Sequence, residues 1–183
     1  MKVKTLTRGA GILLPISSLP SAYGIGTFGD AAFKFVDLLV DLKQKYWQIL
    51  PMGPLTVGDS PFQSISLFAG NPYYIDLDDL VEDGLLKTGE IRAYRWGDSE
   101  GYVDYSVLYQ NRYTVLQLAF ERFDCGDARY IAFCEKNKAW LEDYSLYMAL
   151  KYHFEDKAWY EWESAVRDRQ QEALDRYRQE LAD

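Results

Sequence analysis

GILLPISSLPSAYGIGTFGDAAFKFVDLLVDLKQKYWQIL, Gly11 to Leu50, decides the fold. Gly11 to Ile16 is a short apolar run of the kind that forms a buried parallel strand. SSLPSAYGIGTFG is dense in turn-formers and reads as a loop. Asp30 then caps a helix that reaches about Lys43. Lys34, Asp37 and Asp41 mark its wet face, while Phe33, Phe35, Val36, Leu39, Val40 and Leu42 fill the rest. Tyr46 to Leu50, YWQIL, follows as a second buried strand. Strand, helix and strand in this order make a βαβ unit with a right-handed crossover. The fold class is therefore α/β.

Working outward, GDSPFQSISLFAGNPYYIDL, Gly58 to Leu77, begins just beyond the second strand. In parallel α/β folds, ligands bind outside the carboxyl ends of strands. Asp59-Ser60-Pro61 supplies hydrogen-bonding groups on a turn that Pro61 stiffens. Phe62 and Phe68 supply ring faces, and Asn71-Pro72 makes a second turn. A sugar carries hydroxyls around its edge and C–H groups on its faces, so it needs this mixture of polar groups and rings. An Ω-loop whose aromatics plug its own interior has the same composition. On composition alone the plainer Ω-loop reading leads.

Gly24-Ile25-Gly26-Thr27-Phe28-Gly29 is a formal G-x-G-x-x-G between a strand and a helix. Such glycines can let a pyrophosphate approach a helix N-terminus. Here a segment containing Pro20 separates the strand from Gly24, whereas the dinucleotide fingerprint follows its strand directly. No acidic residue closes the second strand to hold a ribose, and Asp30 puts a negative charge where phosphate would sit. Glycines required for a tight connection are the better account.

The chain has 183 residues, enough for a real core, and 48% hydrophobic residues exclude wholesale disorder. A net charge of −8, with no basic run, argues against a nucleic-acid partner. With one histidine and two cysteines nine apart, a zinc site lacks ligands, so no metal is expected. Cys125 and Cys134 read as buried thiols of a cytosolic protein. Lys2, Lys4 and Arg8 precede the apolar run as in a signal peptide, but Pro15 interrupts a run already short for that role. A mature N-terminus is the favoured reading, and no run is long enough for a membrane span.

All six prolines lie between Pro15 and Pro72, and neither Gly nor Pro occurs after Gly126. A loop-rich part thus gives way to helices. Tyr109, Tyr113, Leu116, Phe120 and Phe123 form a helical stripe, which Gly126 ends. One helix is expected from about Ala128, a separate one from about Trp140 to Tyr152, and a last one from about Lys157. Trp159, Trp162, Val166, Ala173, Tyr177 and Leu181 stripe the last, which stops at Asp183 without a capping residue, as a chain cut short would. Trp159 and Trp162 read as packing residues in preference to a sugar platform.

GILLPISSLPSAYGIGTFG, YWQILPMGPL, GDSPFQSISLFAGNPYYIDL and WLEDYSLYMALK together closely resemble the amylomaltases, or disproportionating enzymes, which are 4-α-glucanotransferases. The motifs keep the family's order and span Gly11 to about Lys151, the N-terminal part of a family member. The resemblance implies a partial (β/α)8 barrel made of its first two strands, with a mainly helical insertion. On that reading residues 1–79 are the βαβ part with the substrate loop, 80–152 the insertion, and 153–183 a charged helix leading toward absent strands. The implied activity is transfer of α-1,4-glucan segments to acceptor sugars with retention, in the cytoplasm, with no metal or organic cofactor. The implied partner is an α-1,4-glucan or maltooligosaccharide, with neither nucleic acid nor membrane.

The family's catalytic carboxyl groups lie on later strands, so no catalytic residue is assigned. Asp76 and Asp104 are expected to be structural or solvated. The resemblance places Ser60 and Phe62 on the glucan groove, with Asp59 and Gln63 shaping the loop and Asn71 and Tyr73 holding the turn. Many family members carry Tyr where this chain has Phe62, so one glucan hydroxyl contact is in question. Two other readings stay open: a freestanding glucan-binding module, and a nucleotide-binding α/β domain resting on Gly24 to Gly29.

Overall fold

The structure, a computed structural model, describes residues 7–55, 58–99 and 101–182. Lys2, Lys4 and the chain end at Asp183 lie outside the described residues. The chain divides into two compact units, Met1–Asp124 and Cys125–Asp183.

The first unit opens with β1 (Gly11–Leu13), α1 (Asp30–Asp41) and β2 (Tyr46–Gln48). The strands pair in parallel, with Gly11 opposite Tyr46, Ile12 opposite Trp47 and Leu13 opposite Gln48. The expected βαβ unit is present, with both strands shorter than the apolar runs that announce them. Beyond Leu13 the chain turns at Pro15, which cannot donate to a ladder, into a 3-10 turn at Ile16–Ser18. The strands are not buried as expected: residues of both are half-buried or exposed. A two-stranded sheet with one helix has little to cover its other face. Phe35 of α1 meets Trp47 edge-on at 4.8 Å, and the Trp47 indole donates to Leu14 O at 2.8 Å.

The N-cap of α1 is Gly29, and Asp30 is the first helical residue, so the expected cap falls one residue late. Its carboxylate still faces the positive end of the helix and pairs with Lys34. Lys43 takes a left-handed φ of 55° just past the helix. Its N–H bonds Val40 O while the Gln44 N–H bonds Leu39 O, which closes the helix in a Schellman turn.

Three further helices complete this unit: α2 (Leu77–Glu82), α3 (Thr88–Arg92) and α4 (Tyr105–Phe120). Asp76 and Asp104 cap α2 and α4 by accepting backbone N–H bonds, a structural role for both. The register of α4 differs from expectation. Its buried face is Leu108, Arg112, Val115 and Ala119. Tyr109, Tyr113 and Phe120 of the expected stripe are exposed, and the helix ends at Phe120, before Gly126. Aromatic residues at helical spacing pointed to one face, and an arginine concealed the other. One core cluster joins Ile16, Leu19, Ile25, Ala32, Tyr73, Tyr74 and Leu108. A second joins Leu77, Leu86, Ile91, Val115 and Ala119.

The second unit is built on α5 (Ala128–His153), α6 (Ser164–Arg167) and α7 (Gln171–Glu180). α5 is one helix where two were expected. Asn137 sits inside it without breaking it, because its amide donates to Phe133 O at 2.8 Å and accepts from the Trp140 indole at 3.1 Å. The last expected helix is instead two. Arg169 adopts φ 57° and closes α6 in another Schellman turn, its guanidinium paired with Asp143 at 3.0 Å. The expected stripe nevertheless supplies the core: Trp162, Val166, Ala173 and Tyr177 are buried with Leu146, Leu150 and Leu174. Cys125 is exposed and Cys134 half-buried, against the expectation of buried thiols. Cys125 falls in the turn before α5, and Cys134 on a stretch of that helix with no buried residue. No described helix is long and apolar enough to cross a membrane.

Candidate functional site

The loops that follow β1 and β2 leave the same, carboxyl end of the parallel pair. The second is the longer. Its two ends are clasped where the Asn71 N–H donates to Met52 O at 2.8 Å. Within it, Ser60 to Gln63 form a β-turn: the Gln63 N–H donates to Ser60 O at 3.0 Å, and Pro61 holds the position that favours its fixed φ. Ser60 Oγ accepts the Phe62 N–H at 3.4 Å. Asp59, just before the turn, takes a left-handed φ of 54°. A second serine turn follows, in which Ser66 Oγ accepts from Phe68 and Ala69.

This local chemistry puts rings outside. Phe62 is 73% exposed, Leu67 95% and Phe68 71%. The Ω-loop reading required the rings to plug the interior, and they do not. Asp59 and Gln63 are also exposed, and Ser60 is half-buried. The four expected site residues thus stand together on one accessible turn.

The segment that follows is built differently. Asn71 is buried, and its carboxamide oxygen accepts the Tyr73 N–H at 2.9 Å, capping a 3-10 turn at Pro72–Tyr74. This agrees with the expectation that Asn71 and Tyr73 hold the turn. The Tyr73 ring packs at 5.5 Å from Tyr113 and 6.3 Å from Tyr105. Burial first, then the neighbouring Tyr113, Asp59 and Tyr109, hold the Tyr73 phenol well above its ordinary value. Burial, then Tyr74 and Asp59, also push the Tyr105 phenol up, while a hydrogen bond with Ser17 opposes them. Asp59 is therefore within electrostatic reach of a tyrosine cluster, to which the first loop contributes Ser17.

Both loops are tied to this stem. The Phe28 N–H donates to Tyr74 O at 3.0 Å, Thr27 Oγ1 donates to the Asp76 carboxylate, and Tyr23 donates to Asp78. The glycines of the formal fingerprint serve these ties. A Cβ on Gly26 would collide with Ile16 O, and one on Gly29 with the Asp76 carboxylate. The close approach they permit is to the protein itself.

Sequence reasoning missed Ser17, Tyr105 and Arg112. The tyrosine cluster is assembled from residues distant in sequence, and the only hint of it is that tyrosine, with 15 residues, leads the aromatics of the chain. Among the described residues, no group of three His, Cys, Asp or Glu could hold a metal ion.

The model of the 4-alpha-glucanotransferase family matches residues 14–183. The 4-alpha-glucanotransferase of Streptococcus pneumoniae is 49% identical over 96% of this chain and 35% of its own length. The Clostridium butyricum enzyme is 46% identical over 91% of this chain and 34% of its own length. A solved structure of amylomaltase from Streptococcus agalactiae in complex with acarbose superposes with a TM-score of 0.90 at 41% identity, covering 96% of this chain and 36% of that one. The chain spans about a third of the length of the curated relatives it matches, and corresponds to their N-terminal portion. With most of its residues inside the family model, the chain belongs to the 4-alpha-glucanotransferase family.

Proposed function

We propose that this chain is the N-terminal portion of a cytoplasmic enzyme that transfers α-1,4-glucan segments to acceptor sugars with retention of configuration, and that it supplies part of the glucan groove. The observation that carries the reading is the exposed turn from Asp59 to Gln63. It presents a ring face, a hydroxyl, a carboxamide and a carboxylate at the carboxyl end of a parallel strand pair. Phe62 lies against a sugar face, as aromatic rings do in carbohydrate sites. Ser60, Asp59 and Gln63 bond hydroxyls at its edge. The acarbose complex of the related amylomaltase supports a glucan-like ligand.

On this reading β1 and β2 are the first two strands of a (β/α)8 barrel. Residues 1–79 form the βαβ part, 80–152 a mainly helical insertion, and 153–183 the lead toward further strands. Retention needs two carboxyl groups ~5–5.5 Å apart, one as nucleophile and one as acid/base. We assign neither role here. Asp76 and Asp104 are engaged as helix caps, and hydrogen bonds from Ser106 and Val107 hold the Asp104 carboxyl below its usual range. The Asp79 carboxyl is pushed up, first by burial and then by Asp76, Glu82, Asp83 and Asp78.

The test is paired. Calorimetric titration of the chain with maltotetraose should give saturable heat that NAD and ATP do not. The chain incubated with maltotriose should release no glucose. Binding of NAD or ATP, or no heat with maltotetraose, contradicts the groove. Glucose release contradicts the assignment of the catalytic carboxylates elsewhere.

A further inference from the structure

Arg112 is the one charged residue among the described core residues that is fully buried. It sits in the middle of α4, on the face made by Leu108, Val115 and Ala119. Burial pulls its guanidinium down to about 10, opposed chiefly by the Asp76 charge. Burying a charge without an ion-pair partner is unfavourable, and a leucine would fill such a site at lower cost. The bonds it makes indicate what the arginine is for. Nη2 donates to Tyr73 O at 3.1 Å and to Ile75 O, and the guanidinium lies 5.7 Å from the centre of the Trp96 ring. Nε and Nη1 are buried with no protein partner.

Tyr73 and Ile75 flank the bend where the 3-10 turn gives way to the cap of α2. Their carbonyls point away from any ladder, so they need a donor from outside the segment. The same bend begins where the loop that carries the exposed turn closes. Asn71, at its start, clasps Met52 across the base of the loop, and the Tyr73 phenol is within electrostatic reach of Asp59.

We propose that Arg112 is a positioning residue for the glucan loop: from α4 it grips the Tyr73–Ile75 backbone, and through that stem sets where the Asp59–Gln63 turn stands. This rests on the glucan reading for its functional half. Its structural half, that α4 controls the order of the loop, stands independently. The two N–H groups of Nη2, held in the guanidinium plane that faces Trp96, explain why the position holds Arg and not Lys, whose ammonium is a point charge without a face to lay on that ring.

The experiment compares R112M, R112K and V115A in the chain. Val115 is fully buried on the same face and its side chain makes no polar contact, so V115A reports what loss of core packing alone does. Amide hydrogen exchange is read at Asn71 and Gln63, whose N–H groups close the loop and the turn, alongside maltotetraose affinity. R112M should speed exchange at both amides at least tenfold beyond V115A, measured at the same margin below each variant's melting temperature. It should also weaken maltotetraose at least tenfold. R112K should recover part of both. If R112M and V115A agree within twofold at both amides, Arg112 is only a core residue and the proposal fails. If the unaltered chain binds no maltotetraose, the glucan reading fails, and the exchange data still decide whether Arg112 orders the loop. If R112M does not fold, R112K against V115A decides by the same two amides.

Discussion

Gly58–Gly70 and Asn71–Leu77 are adjacent in sequence and opposite in construction. The first carries large rings into solvent and is held by its own serine turns and a clasped base. The second is mostly buried, and receives bonds from the loop after β1, from α4 and from its own Asn71. Leu77 at its end is completely buried, while Leu67 in the loop is 95% exposed. The difference teaches how a protein can present apolar rings to water without losing their position. Rigidity is supplied by a buried stem, and recognition groups stand on a short turn above it. Neither half would serve alone, since exposed rings on a loose loop would fold back onto apolar surface.

The largest effect should come from breaking the stem. Leu77→Ala removes a side chain from the Ile91–Val115 cluster and should destabilise the chain by about 2–5 kcal/mol. Leu67→Ala should change stability by less than about 0.5 kcal/mol. Thermal melts of the two variants measure the contrast directly, and equal losses would erase it.

A smaller effect belongs to recognition. Phe62→Tyr adds a hydroxyl at the exposed turn. It should tighten maltotetraose binding by about 0.5–1.5 kcal/mol if that hydroxyl reaches the glucan, with an unchanged melt because the ring is already outside. Calorimetry separates the two quantities, and a shifted melt with unchanged affinity would mean that Phe62 packs and does not recognise.

The smallest effect is a pH dependence that should belong to the stem's ties and not to the loop. The Tyr23 phenol is pushed up to about 12, first by burial and then by its bond to Asp78 and the charges of Asp78 and Asp76. An unfolded tyrosine titrates near ~10. The folded state therefore holds this proton more tightly, and the contribution is complete below pH ~10 and lost as pH rises toward 12. Melting temperature should fall across that window, and Tyr23→Phe should flatten part of the fall. A fall unaffected by the substitution would place the titrating group elsewhere.

Much of this was legible from residues alone, and the rest was not for identifiable reasons. Apolar runs around Ile12 and Trp47 marked the strand pair, because period and length suffice for strands of a βαβ unit. The exposed turn was legible because Ser60, Pro61 and Asp59 act locally, through backbone geometry that their own side chains set. Residues that act across the chain were not. Arg112 lies on a buried face that hydrophobic counting skips, and its partners are carbonyls, which have no letter in a sequence. The same blindness turned α4 to the wrong face, since Tyr109 and Tyr113 advertise burial but stand at the surface. The helix break at Arg169 was missed because this residue took a left-handed conformation usually left to glycine.

The central claim is that the Asp59–Gln63 turn meets the glucan. The most direct measurement is a residue-resolved NMR titration of the 15N-labelled chain with maltotetraose. The account predicts that the amides of Asp59, Ser60, Phe62 and Gln63 move most, with saturation at one common affinity, while the amides of Gly24 to Gly29 stay in place. Saturable shifts confined to other residues, with the four turn amides unmoved, would contradict it.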